Sequence, residues 1–79
     1  MDRIKKLRQK RGYTQMKMQM LTGIDQSDYS KIENGRRYCS FEQCRRIALA
    51  LDTSMDYIAG LTDEERPYPR SEEIETDRR

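Results

Sequence analysis

Between Gly23 and Arg37 the chain reads GIDQSDYSKIENGRR. Read as a helix, this stretch turns Tyr29 and Ile32, three residues apart, toward a core and leaves Gln26, Ser27, Ser30 and Lys31 pointing outward. An amide, two hydroxyls and an ammonium then form a short ridge of donors and acceptors, a surface that could lie in the groove of a nucleic acid. Asp25 and Asp28 stand in its midst, where a polyanion would be unwelcome. Helix-end chemistry accounts for them. Asp25 takes the N-cap position and Asp28 the N3 position, a D-x-x-D variant of the capping box, and both carboxylates favour the positive end of the helix dipole. Asp28 has a second reading, as an acceptor for a cytosine amino group.

Little else in the chain carries chemistry. It has no histidine and two cysteines, Cys39 and Cys44. A zinc site would have to be assembled from those thiols and carboxylates alone, so no metal and no cofactor are expected. The usual general base is missing, and no Ser, Cys or Lys stands in a nucleophile motif, so the chain is not expected to be an enzyme. Cys44 falls on an apolar helical stripe and reads as core. Cys39, in a loop near Arg36 and Arg37, reads either as an inert loop cysteine or as a reactive thiol.

The elements that must position the ridge are short. Seventy-nine residues leave room for one small domain with a local core. Ile4 and Leu7 define a first helix over about residues 2–11, ended by Gly12, after which Tyr13 returns to the core. Thr14 caps a second helix over 15–22, closed by Gly23, with Met18 and Leu21 inward and Met16 and Met20 exposed or lining a contact. Asp25 opens the third helix, 26–34, which Gly35 ends. Ser40, with Gln43 at N3, caps a fourth whose buried stripe is Phe41, Cys44, Ile47, Ala48 and Leu51. Thr53 or Ser54 caps a fifth, with Met55, Ile58 and Leu61 inward. The expected fold is all-α, a compact bundle of five short helices with no strand.

Charge and apolar content both change at residue 61. Residues 1–61 hold 12 Lys and Arg against 7 Asp and Glu, whereas residues 62–79 hold 4 against 7. The domain is therefore expected to span 1–61, followed by an acidic, largely disordered tail over 62–79. Pro67 and Pro69 bar a continuous helix there, although a helical turn from Thr62, with Glu65 as its capping partner, is expected. No apolar run reaches the roughly 20 residues needed to cross a bilayer, and MDRIKKLRQKRG lacks a secretory h-region. A soluble, cytoplasmic protein with no membrane partner is the expectation.

Two helices joined through Gly23 and the apolar Ile24 make a helix-turn-helix by spacing alone. TQMKMQMLTGIDQSDYSKIENGRR, followed by SFEQCRRIALALDTSMDYIAGLTDE, resembles the Cro/cI repressor-type (Xre-like) DNA-binding domains of phages and bacteria over residues 3 to about 64. Thr14-Gln15, Gly23-Ile24 and Ser30-Lys31-Ile32-Glu33-Asn34-Gly35 carry the resemblance most specifically. It implies a lambda repressor-like domain and a transcriptional regulator, a repressor, that binds an operator in double-stranded DNA as a homodimer on inverted half-sites, nucleoid-associated when bound. It assigns base readout to Gln26, Ser27 and Lys31, with Ser30 beside them, and the chemistry agrees: a Gln amide grips adenine and Lys donates to guanine. It assigns phosphate contacts to Gln15, Asn34, Arg36 and Arg37, and the free N–H groups at the start of the fourth helix add Ser40. It also pairs Arg8 with Glu33 in a salt bridge, against the plainer reading of Arg8 as a surface charge.

One position departs from the family pattern. Gln19 stands where such domains place alanine, at the close crossing of the second and third helices, so it is expected to snorkel outward or widen the crossing. The exposed methionines and the two acids of the third helix favour a second reading, a protein-interaction module such as an antitoxin or anti-regulator on the same fold.

Overall fold

The computed structural model describes residues 2–70, and its elements follow from local end chemistry. The helices are α1 (Asp2–Lys10), α2 (Gln15–Thr22), α3 (Gln26–Glu33), α4 (Phe41–Ala50) and α5 (Met55–Ala59), with no strand among the described residues. Four of the five start on a hydroxyl or carboxylate that accepts a free N–H: Thr14 from Lys17, Asp25 from Ser27, Ser40 from Gln43 and Ser54 from Tyr57. Each acceptor satisfies one of the donors that a helix start leaves without an intrahelical partner. At Ser40 the capping box is complete, because the Gln43 side chain also accepts the Ser40 N–H. The chain is all-α, as its periodicity implies.

Gly23 makes the turn between α2 and α3. Its φ of 74° lies in the left-handed region, and its N–H donates to the Gln19 carbonyl at 2.8 Å. Ile24 then buries itself at the corner, alongside Met18 from α2 and Tyr29 and Ile32 from α3. Ile4 and Leu7 from α1, Ile47, Ala48 and Leu51 from α4, and Ile58 from α5 complete a single core. Tyr13 and Cys44 pack on its edge, half-buried.

Three residues expected inside lie outside. On α2, Leu21 is 45 % exposed and Thr22 is buried in its place. The inward stripe is Met18 and Thr22, four apart, and burial of the hydroxyl is cheap because it donates to the Met18 carbonyl and accepts from the Ile24 N–H. Phe41 is 75 % exposed, because it is the first residue of α4 and no neighbouring element covers that turn. Leu61 is exposed as well: α5 ends at Ala59 with Gly60 in the left-handed conformation, so helical spacing from Ile58 no longer applies.

Residues 62–70 form no helix, and the turn expected at Thr62 is instead a local loop in which the Thr62 hydroxyl accepts from the Glu64 N–H. This segment runs against the body. Arg3 bonds the Tyr57 and Thr62 carbonyls and Asp63, its guanidinium lying over the Tyr57 ring at 4.4 Å; Lys10 reaches Glu65; and the buried Thr53 hydroxyl donates to the Glu65 carbonyl. The expectation for the tail also covers residues 71–79, which lie outside the described residues.

Gly23→Ala is expected to destabilise the fold by about 1–2 kcal/mol, the usual cost of a left-handed conformation for a residue with a Cβ. The new Cβ would also meet the Arg46 guanidinium at 3.4 Å. Urea unfolding of the two proteins measures the difference.

Candidate nucleic-acid interface

The outward side of α3 is set by its inward side. Tyr29 and Ile32 are fully buried, Glu33 is nearly so, and the remaining positions turn away from the core. Ser27 and Lys31 are exposed, and Gln26 and Ser30 are half-exposed beside them. The four polar residues expected on one ridge therefore share one face. Asn34, Arg36 and Arg37 continue past the end of α3, all exposed.

Beneath this face lies a buried ion pair. Arg8 from α1 makes a two-pronged contact with Glu33, Nε to Oε2 at 2.8 Å and Nη2 to Oε1 at 2.9 Å, while its third prong donates to the Tyr13 carbonyl at 2.8 Å. Gln15 at the start of α2 donates to the same carboxylate at 3.1 Å. The side chains are 12 % and 1 % exposed. Burial by itself would raise the Glu33 carboxyl, but Arg8, the nearby Tyr29 hydroxyl and Gln15 outweigh it, and the group sits below the ordinary carboxylate value. Burial, and after it the Glu33 charge, push the Tyr29 phenol far above its usual range, so it stays a neutral hydroxyl. Its oxygen is buried beside Glu33 without a well-aligned hydrogen bond.

The opposite end of α3 is held by Gln19. Its side-chain carbonyl accepts the Gln26 N–H at 2.7 Å, so it neither snorkels outward nor merely widens the crossing. Gln19 caps the next helix, a tie that alanine at this position could not make. The signal was present in the sequence: a helix start exposes several free N–H groups, and Asp25, which accepts from Ser27 at 3.0 Å, answers one of them.

The second aspartate departs from expectation too. Asp28 does not reach back to close a capping box; its carboxylate binds Arg37 at 2.7 Å. Arg37 is thus engaged within the protein, and the acid on the outward face has a cation beside it. Gln15 likewise directs its amide inward to Glu33 rather than outward. At Ser40 the backbone N–H belongs to Gln43 and the hydroxyl oxygen accepts from Gln43, which leaves the hydroxyl proton as that residue's available donor. Asn34 shares a long contact of 3.5 Å with Ser30. The side chains of Gln26, Ser27, Lys31 and Arg36 have no protein partner among the described residues.

The arrangement offers a narrow ridge of uncommitted polar groups, held at both ends and bordered by cations. Among the described residues no cluster of His, Cys, Asp and Glu could hold a metal ion, and no helix is long and apolar enough to cross a membrane. A family model described as a helix-turn-helix domain matches residues 2–64. No curated protein and no solved structure matches the chain significantly.

Glu33→Gln is expected to cost about 3 kcal/mol of folding stability, because Arg8 is left without its counter-charge in a mostly buried place. The variant should also flatten the acid side of the stability profile. With the folded-state pKa of Glu33 depressed below its ordinary 4.5, its contribution is present above that value and lost as pH falls through the lower one. Denaturant unfolding at about pH 7 and about pH 3 measures both effects.

Proposed function

The chain belongs to the helix-turn-helix domain family, and from that premise we propose that it is a sequence-specific double-stranded DNA-binding regulator of transcription that lays α3 in the major groove. One observation carries the reading: Gln26, Ser27 and Lys31 stand on one outward face, their side chains without a protein partner among the described residues, over a helix anchored at both ends. In the groove the Gln26 amide can grip an adenine and the Lys31 ammonium can donate to a guanine, with the Ser27 and Ser30 hydroxyls adapting to either. Asp28, already bound to Arg37, is a weak candidate for base readout and a strong one for orienting that arginine.

Phosphate contacts divide by availability. Arg36 is free to meet a phosphate directly, and the unused N–H groups at the starts of α2 and α4 suit oxyanions. Arg37 reaches a phosphate by leaving an exposed ion pair, a cheap exchange. Gln15 would have to do so with its second amide hydrogen while still holding Glu33. Ser40 offers its hydroxyl, and Asn34 its side-chain amide.

The finer parts of the reading rest on the Cro/cI resemblance: a repressor in the phage or bacterial cytoplasm, without catalytic activity, acting as a two-fold dimer on inverted half-sites about one helical turn apart. Leu61, exposed at the end of α5, is available for such a dimer. A second reading has its own observation. Met16 and Met20, 50 % and 73 % exposed on α2, give an adaptable apolar face of the kind that protein partners use. Salt separates the two, since a DNA reader loses affinity steeply as salt rises and a protein binder shows no such dependence on duplex DNA.

Fluorescence anisotropy with a duplex selected from random sequence tests the assignment. Gln26→Ala should weaken binding to that duplex by about 1–3 kcal/mol and leave random DNA nearly unchanged. Arg36→Ala should weaken both alike and lower the salt slope by about 1. Equal losses on both duplexes from Gln26→Ala would remove that residue from base readout.

A further inference from the structure

The start of α4 contains an unusual pairing. Ser40 is the N-cap and Gln43 the third residue of the helix, and their side chains complete a capping box. That box fixes the residues on either side of it: Cys39 precedes the cap and Cys44 is the fourth residue of the helix. In helix starts of this design those two positions commonly carry apolar side chains packed on one another as a hydrophobic staple. Here both members of the staple are thiols. Both are free, both are half-buried, and both pack on the edge of the same core.

The two thiols are neighbours across the capping box, and they are not equivalent. Burial, with the neighbouring Cys39 thiol adding to it, pushes Cys44 up to about 11, so Cys44 is almost entirely protonated near neutral pH. Cys39 is the member on the loop, two residues past Arg37 and outside the helix.

We propose that Cys39 and Cys44 form an oxidisable pair, and that a peroxide converts the staple at the head of α4 into an intrachain disulfide. The Cys39 thiolate attacks one peroxide oxygen. An S–O bond forms, the O–O bond breaks, and the leaving hydroxide takes up the proton that the thiol gave to solvent. The Cys44 sulfur then attacks the sulfenic sulfur of Cys39. The S–S bond forms, the S–O bond breaks, and the oxygen leaves as water with the Cys44 proton. Two electrons pass from the two thiols to the peroxide, and a thiol reductant reverses the change. The staple favours an intrachain product, because it holds the two side chains together before any oxidant arrives.

The consequence is local. The crosslink fastens the exit of the loop carrying Arg36 and Arg37 to the first turn of α4, so a contact that packing alone maintains becomes covalent. The proposal goes beyond the DNA-binding reading and is tested without DNA.

The experiment is intact-mass spectrometry of the full folded chain after brief treatment with hydrogen peroxide. The expected product is a monomer lighter by about 2 Da, the two hydrogens lost, restored to its original mass by dithiothreitol. Digestion of that product should give a peptide linked between Cys39 and Cys44, and Cys44→Ser should instead retain oxygen on Cys39, a gain of about 16 Da. Wild-type protein that gains oxygen on Cys39 without losing hydrogen, that links into dimers, or that fails to react at either thiol overturns the proposal. Because the wild-type mass decides the matter, the outcome does not depend on how well the variant folds.

Discussion

The orientation of α3 depends on one buried ion pair. Arg8 and Glu33 come from helices far apart in sequence, and a charge taken from water is costly unless its partner and its remaining hydrogen bonds are all in place. Here they are: the guanidinium divides itself between Glu33 and the Tyr13 carbonyl, and Gln15 adds a donor to the carboxylate. Four parts of the chain therefore meet at one ion pair: α1, the turn after it, the head of α2 and the foot of α3. An apolar cluster of similar volume could have stabilised the fold as well. It would not have specified which way α3 turns, since apolar packing is non-directional and a forked ion pair is not.

A second tie fixes the other end. The Gln19 side chain accepts the first N–H of α3, so α2 holds the helix at its start while Arg8 holds it at its end. Between those points Tyr29 and Ile32 are fully buried, and the outward side chains of Gln26, Ser27 and Lys31 have no protein partner among the described residues. The commitments of the surrounding side chains then become informative. Asp28 and Arg37 neutralise each other in an exposed pair that a polyanion can displace at little cost, whereas Gln15 belongs to a buried cluster that would lose a donor if it left. The face is thus graded, with free groups at the centre and exchangeable ones at the rim.

How much of this was legible in the sequence follows from the range of each interaction. Caps and turns act over three or four residues, so Thr14, Gly23, Asp25 and Ser40 announce their roles and the five helices can be drawn from them. Leu21, Phe41 and Leu61 could not be placed in that way. Helical spacing assigns a residue to a face but does not say whether another element covers that face, or whether the helix still continues there. Thr22 replaces Leu21 inside because the core lies on its side of α2 and its hydroxyl finds two local backbone partners, the Met18 carbonyl and the Ile24 N–H. The Asp28–Arg37 and Gln19–Gln26 contacts span nine and seven residues across a helix end, longer than the three or four of a cap, and they altered the roles expected for three of the residues concerned.

The central claim is that the free ridge on α3, and not another face of the molecule, is what meets nucleic acid. Titration of isotope-labelled protein with a selected DNA duplex, followed by the backbone and side-chain amide resonances, tests it most directly. The account predicts the largest shifts at the Gln26 side-chain amide and at the backbone of Ser27, Ser30 and Lys31, smaller ones at Arg36 and the head of α4, and almost none along the outer side of α1. Shifts concentrated instead on Met16 and Met20, with Gln26 unmoved, would contradict it.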